Sequence, residues 1–413
     1  TWNVSGAWNA HEEKFFSNLT SVLSHFTLKA SYSLTADRGP ADVTNSQAII
    51  TSYSPYRPFT SIQESGLYIK ELENSELTYE KKHELNIGAD MGFLNNRINL
   101  AVDWYKRNNY DLIGIVNTQG AGGQILKYAN IASMKSHGIE FTLSTKNIKT
   151  KDFNWNTDFI FSNAKNEVTD LKQNANVMEL ISGNGFAKQG YPVRGLFSIP
   201  FVGLDKDGIP VIINEKGEAT STDINFQERQ NTGFLKYEGP TDPTITGSLG
   251  NMFSYKGFRL NLFITYSFGN VIRLNPVFKA YYSDLTAMTR EFKNRWTLPG
   301  DEAKTNVPAI LSKRMYDSNE DLKYAYNAYN YSTERIAKGD FIRLKEISLA
   351  YDFPKAWINP LKLTDLSLKV QATNLFLIYA DDKLNGQDPE FFNAGGVASP
   401  VPRQFTITLR LGL

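Results

Sequence analysis

The chain has 413 residues, no cysteine, and 44 basic against 43 acidic side chains for a formal net charge of +1. The missing cysteines exclude disulfides, cysteine-ligated zinc, iron–sulfur clusters and thiol catalysis, and the balanced charge argues against a nucleic-acid binder. Aromatic residues reach 13%, as 26 Phe, 21 Tyr and 6 Trp, although mean hydropathy is only −0.36. No run approaches the ~18 apolar residues of a membrane-crossing helix. A membrane β-barrel stays open, because it hides apolar side chains at every second position. The chain begins Thr1-Trp2-Asn3 with no signal segment, and reads as a piece of something longer.

Taken in chain order, alternation of period two predicts strands near 2–10, 25–35, 80–92, 95–106, 131–146, 153–163, 194–204, 209–213, 243–255, 258–268, 340–353, 365–377 and 403–412, about thirteen in all. Ile98, Leu100, Val102 and Trp104 form an oily face against Asn99, Ala101 and Asp103. Ile139, Phe141 and Leu143 oppose Glu140; Phe153, Trp155, Phe159 and Phe161 oppose Asn154 and Asp158; and Phe258 to Phe268 oppose Arg259. None of the oily faces carries a charge. Asn99, Asp103, Glu140, Asn154, Asp158 and Arg259 are thus candidates for a wet, lumen-facing wall. Aromatic residues near strand ends, Trp104-Tyr105, Tyr266 with Phe268, and Tyr351 with Phe353, suit the girdles of a membrane interface.

Connections alternate in length. Tight turns at 94–96, 145–153 and 256–257 share one parity, while long insertions are expected at 36–77, 107–130, 164–190, 214–242, 270–338 and 378–402. Successive strands that cross a membrane in opposite directions require this alternation, whereas such loops are uncommon in a compact soluble domain. An odd number of strands cannot close an ordinary bacterial barrel. The expected fold is therefore all-β, a transmembrane antiparallel β-barrel present in part.

Other motifs read as structure. Asp205-Lys206-Asp207-Gly208 lacks the acids of a calcium loop and is read as a hairpin turn, and Gly120-Ala121-Gly122-Gly123 follows no strand–helix unit and is read as a loop. Glu12-Glu13, Asp301-Glu302 and Asp381-Asp382 are read as solvated surface. The four histidines, His11, His25, His83 and His137, have no ligand spacing, so no metal, cofactor or catalytic residue is expected. The segment 278–331 gathers rings including Tyr281, Tyr282, Phe292, Trp296, Tyr326 and Tyr329. They would either seat a partner or pack the loop on itself.

Asn74 to Glu80, Asn86-Ile-Gly-Ala-Asp90, Gly138-Ile139-Glu140, Gly190-Tyr191-Pro192 with Gly203-Leu204-Asp205, Pro243 to Gly269, Asn294 to Thr297, Phe341 to Tyr351, Asn374-Leu375-Phe376, and Gly386 to Glu390 with Pro402-Arg403 follow one another in a known order. The chain resembles the C-terminal barrel portion of the SusC/RagA family of TonB-dependent outer-membrane transporters. The resemblance implies residues 1–413 of a 22-stranded plugged barrel in the bacterial outer membrane. The plug, TonB box and N-terminal domain, which nothing here matches, would precede Thr1; the terminal aromatic residue usual in the family is not found at Leu413. It further implies a SusD-like surface lipoprotein as lid, energy through TonB, an oligosaccharide or peptide substrate, pairing with the N-terminal remainder of the barrel, a dimer of transporter–lid pairs, and no enzymatic activity. Tyr281, Tyr282, Arg295 and Trp296 are the candidate lid or substrate contacts. A soluble all-β adhesin or glycan-binding module is the alternative, and an outer-membrane hydrolase would need a Ser/His/acid set that the sequence does not offer.

Overall fold

A computed structural model describes residues 1–39, 47–56, 64–120, 125–277, 289–310, 312–392 and 402–412. One antiparallel sheet of eleven strands runs through it in strict chain order, every wall strand pairing with the next. We number these strands β1 Trp2–Asn9, β2 Leu23–Asp37, β3 Glu80–Phe93, β4 Ile98–Asn117, β5 Leu126–Lys149, β6 Phe153–Leu171, β7 Ile245–Tyr255, β8 Phe258–Phe268, β9 Phe341–Asp352, β10 Asp365–Ala380 and β11 Gln404–Gly412. Among the described residues β1 and β11 each pair on one side only.

Eleven of the thirteen expected strands are thus wall strands, and two are not. The segments expected at 194–204 and 209–213 form small separate sheets within the connection 172–244. Gly195–Ser198 pairs with Lys236–Pro240, while Phe201–Leu204, Pro210–Ile213 and Ala219–Thr220 form a three-stranded sheet. Their alternation reflects a local core rather than a wall, since all four residues of Gly195–Ser198 are buried. A second expectation also fails: 107–130 is not an insertion. β4 and β5 continue as a tall hairpin, paired as far as Asn117 and Leu126, because Tyr110, Leu112 and Val116 extend the strand pattern past the aromatic pair.

The parity of the connections survives both changes. On one side lie 10–22, 94–97, 150–152, 256–257 and 353–364; on the other lie 38–79, 118–125, 172–244, 269–340 and 381–403. Short turns are made by residues that accept left-handed backbone: Leu94, Asn95 and Asn96 at φ near +55°, and Lys256-Gly257 at φ 45° and 88°.

Register makes each face continuous across the sheet. Phe26, Met91, Leu100, Leu143, Phe159, Leu249, Ile264 and Leu344 fall in one row of paired residues. In the next, Leu28, Ala89, Val102, Phe141 and Phe161 follow one another. Many large apolar side chains on this face stay exposed, among them Trp8, Ile87, Trp104, Ile139, Leu349, Val370, Ile407 and Leu409. An apolar face this broad has lipid as its natural solvent. Near the short turns, polar groups on this face pair with one another: Trp155 Nε1 and the Thr157 hydroxyl both donate to Asn251 Oδ1, at 2.9 and 2.7 Å, and Asn147 donates to Thr157 at 2.7 Å. In hydrocarbon an unpaired group would cost several kcal/mol.

Aromatic residues mark both ends of the apolar band. Toward the short turns, Phe258 and Tyr351 lie 4.4 Å apart, Tyr351 and Phe353 5.0 Å, and Phe353 and Trp357 6.3 Å. Toward the long connections come Trp104, Tyr266 and Phe268. From Phe258 to Phe268 the strand rises about 33 Å along its own axis, or about 25 Å in height at a ~40° tilt, which is the thickness of such a band. Tyr105, expected in the girdle beside Trp104, is instead buried on the opposite face, where Gly138 leaves room for its ring. Adjacent residues of a strand point to opposite faces, so only one of the pair can join the girdle.

Candidate functional site

All six candidate wall residues lie on the second, polar face. Asp103 and Glu140 are direct cross-strand partners. Asn99, Ser144 and Asp158 form one row, with the Ser144 hydroxyl donating to Asp158 at 2.6 Å. Asn154, Ser254 and Arg259 form another, and Arg259 pairs with Asp352 at 2.7 Å. Lys29 pairs with Asp90 on the same face. Such half-exposed pairs contribute little stability singly, but they give the face a mixed, hydrated surface. Ile160, between Thr142 and Ser248, interrupts it as an exposed apolar residue.

At the end with long connections, two loops fold together into a cap with a core of its own. Val177, Leu180 and Ile181 of helix α1 (Val177–Ile181), Phe197, Ile199, Ile212 and Leu235 pack with Ala328 of helix α2 (Leu322–Asn330). The first loop supplies all but Ala328, so the core joins 172–244 to 269–340. A capping box starts α1, with Glu179 N donating to Asn176 Oδ1 at 2.8 Å and Asn176 N to Glu179 Oε2 at 2.7 Å. The turn expected at Asp205 is present: Asp205 Oδ1 accepts from Asp207 N and Ile209 N at 2.9 and 2.8 Å.

Three guanidinium groups are buried among the long connections and at their junction with the wall. Arg273 donates to the carbonyls of Ser332 and Phe197 at 3.1 and 2.6 Å and to the Ser198 hydroxyl at 3.1 Å. Burial pulls its pKa down to about 10, with Glu238 opposing the shift, and it stays charged at neutral pH. Arg335, 1% exposed, donates to Asn275 O at 2.6 Å and pairs with Glu291 at 2.8 Å. Arg343 on β9 reaches Asp388 at 2.5 Å and Glu390 at 3.3 Å, tying the connection 381–403 to the wall. Sequence reasoning missed all three as anchors. The Arg343 pair alone had a signal, since both halves lie in motifs of the recognised order. A pocket of about 340 Å³ opens beside Arg335, lined by Glu291, Glu334, Asp382, Lys383, Asn306 and Asn385 among others.

The candidate loop contacts divide. Tyr281 and Tyr282 lie outside the described residues, as do Ala121 to Gly123 and Leu413. Arg295 stacks over Phe292 at 5.1 Å. Trp296 is half-buried, donates through Nε1 to Glu302 at 3.0 Å, and lies over Gly208, where an added Cβ would come within 2.6 Å of its ring. Tyr326 and Tyr329 are buried, Tyr326 donating to Ala309 O at 3.0 Å, and burial raises both phenol pKa values. These rings pack within the cap, Trp296 on Gly208 and Tyr329 on Phe201 of the other connection. Two of the acidic pairs read as surface also bind backbone: Asp301 accepts from Leu298 N and the Thr297 hydroxyl, and Asp381, which caps the turn 382–384, from Lys383 N and Lys338 N. His11 and His25, separate in sequence, meet with ring centroids 4.3 Å apart.

An apolar outer belt with aromatic borders, a polar inner face and connections of alternating length define the wall of an outer-membrane β-barrel, and the bacterial outer membrane is its location. No family model matches the chain. Among curated proteins it is 25% identical over 93% of its length to TonB-dependent receptor P3 of Formosa agariphila, and 26% identical over 98% to TonB-dependent receptor SusC of Bacteroides thetaiotaomicron. It covers 37% and 39% of those proteins, so the chain spans about two-fifths of its curated relatives. A solved structure of the RagAB peptide transporter superposes with a TM-score of 0.77 at 24% identity over 99% of this chain and 42% of that one. The same importer in its open-open state gives 0.76. The resemblance to SusC/RagA-type TonB-dependent receptors holds in sequence and in fold over nearly the whole chain.

Proposed function

We propose that residues 1–413 are the C-terminal barrel portion of an active nutrient importer of the outer membrane. The observation that carries this reading is the cap: two connections of one parity build a buried core over the end of a sheet whose second face is polar. A soluble adhesin has no use for a lipid-sized apolar belt on its outer face. Both edge strands need partners, because open edges in hydrocarbon leave backbone groups unpaired. Strands from an N-terminal remainder supply them, and eleven more would make the 22-stranded barrel of the family. A lumen of that width requires a plug, and the remainder would carry it with the TonB box.

In this reading TonB supplies the work, a SusD-like surface lipoprotein covers the capped end, and the substrate is an oligosaccharide or peptide. The polar wall, with Asn99, Asp103, Glu140, Asn154, Asp158 and Arg259, lines its path. Two transporter–lid pairs assembling as a dimer would follow the family pattern. The test uses the full-length protein in its own cell: deletion should abolish growth on one class of glycan or peptide, a lipoprotein should co-purify, and removal of the TonB box should block growth while leaving surface abundance intact. Extraction without detergent, or growth that ignores the TonB box, would refute the reading.

A further inference from the structure

On β4, β5 and β6 the row of paired residues that crosses the outer face through Ile87, Trp104, Ile139, Asn163, Ile245 and Phe268 is the last of the apolar band, which Leu85 and Tyr32 continue on β3 and β2. One step further toward the long connections, the next row reads Lys106, His137, Lys165 on β4, β5 and β6. All three side chains are exposed. Alternation puts them on the same face as Trp104, Ile139 and Phe161, the face given to lipid. Strand spacing sets neighbouring members about 5 Å apart and the outer two about 10 Å apart.

The charges around this row are mostly used. In the row beyond, His83, Asn108, Lys135 and Glu167 are in register, and Lys135 pairs with Glu167 at 3.1 Å. Further out, Lys81 pairs with Asp111 at 2.8 Å. Lys106, His137 and Lys165 have no hydrogen-bond or ion-pair partner among the described residues. Three nitrogen donors, two of them fixed cations, thus stand in a row at the upper border of the belt, where hydrocarbon gives way to headgroups. Ammonium groups at this depth favour anionic headgroups, each by a factor of about five.

We propose that Lys106, His137 and Lys165 form a docking site for the phosphorylated headgroup of an outer-leaflet lipid, whose acyl chains lie along Trp104, Ile139 and Phe161. The proposal rests on the outer-membrane reading. Charge complementarity selects the occupant: a neutral or cationic surface would leave two ammonium groups facing nothing, and the apolar rows directly below fit a ligand whose other half is hydrocarbon. Ridges of alternating ring and aliphatic side chain suit acyl chains better than they suit a protein partner, which would seek polar rim contacts as well.

The experiment uses the full-length protein in nanodiscs, titrated with lipid A as the phosphorylated probe. Lys106→Gln and Lys165→Gln should each weaken lipid A binding about fivefold, and the double variant about 25-fold. Lys216→Gln, which alters an exposed cap lysine paired with Asp223, should bind as the parent does. Excess inorganic phosphate should not displace lipid A. Undiminished binding by the double variant would overturn the site, and displacement by phosphate would overturn the lipid in favour of a free anion. Heat-modifiable migration, recorded on each preparation, separates failure of the site from failure of the barrel reading: loss of it in the parent protein sinks the latter.

Discussion

Replacing Arg343 by Met removes one half of a buried ion pair while keeping most of the side-chain volume. The Arg343 and Asp388 side chains are 6% and 11% exposed, whereas Glu390, the second acceptor, is 42% exposed and adds little. Breaking a buried pair costs about 3–5 kcal/mol, because the remaining charge is left uncompensated. Asp388 Oδ1 still accepts Glu390 N at 3.1 Å, so the lower end, about 3 kcal/mol, is expected. Asp388 sits in the connection 381–403 and Arg343 in β9, so the loss falls on docking of the connection and leaves the wall intact. Hydrogen exchange of the peptide covering 382–391 should quicken about 100-fold, since each 1.4 kcal/mol is a factor of ten. The double variant Arg343→Met/Asp388→Leu should recover much of that protection, as paired apolar replacements often do. Exchange within a few-fold of the parent in the single variant, or a double variant worse than the single, would show that apolar contacts such as those of buried Leu384 hold the connection instead.

Val102→Arg, on the outer face, should cost about 2–4 kcal/mol near the bilayer midplane, while Ala101→Arg beside Asp90 and Thr142 should be tolerated; equal losses in a barrel-folding assay would refute the assignment of faces. Trp296→Ala should open the segment 289–310 to protease with lid association unchanged, since the ring packs on Gly208 and Glu302; loss of lid pull-down at equal protease resistance would restore it as a contact. Gly208→Ala should loosen the same segment by at least ~1 kcal/mol, because φ is +75° and the new Cβ meets the Trp296 ring. Hydrogen bonds from Leu298 N and the Thr297 hydroxyl and backbone hold the Asp301 pKa at about 2 against an ordinary 3.8. The folded state is therefore favoured above pH 4, and that support disappears as pH falls from about 4 to 2; Asp301→Asn should abolish the pH dependence of proteolysis at 297–305, and a retained dependence would refute the assignment.

The wall was legible in the sequence because its signal is strictly local. Ile98 to Trp104 alternate throughout and Phe258 to Phe268 with Phe263 as the one exception, and the lipid on one side and water on the other leave no third environment to blur them. Where a segment expected as a strand lies in a local core, the same pattern misleads: Gly195–Ser198, with all four residues buried, and Pro210–Ile213, with alternate residues buried, read like wall strands but belong to the cap. The cap itself was illegible. Its core joins Val177 to Ala328 and its polar seam joins Phe197 to Arg273, 76 positions apart, and no periodicity encodes such contacts. The aromatic stretch signalled that something there was buried, without saying whether against the loop or a partner.

The three buried arginines follow from how the long connections attach to one another and to the wall. The second face of the sheet is polar, so apolar seating of the connections is confined to small clusters such as Leu384 with Ile272, Leu274 and Ala337. Attachment then falls to directional bonds, and carbonyl oxygens are the acceptors a loop has in surplus. A guanidinium meets that need better than an ammonium, because its planar fork reaches several acceptors at once. Arg273 does so across both long loops, taking Phe197 O and Ser198 Oγ from one and Ser332 O from the other. Arg335 uses it within one connection, taking Asn275 O and Glu291, and Arg343 uses it from the wall to Asp388 of another. In each of the three, Nε remains buried without a partner, a cost that directional attachment incurs and apolar seating would not. The cap is therefore placed by a few specific bonds, and substitutions there should change where it sits more than whether it folds.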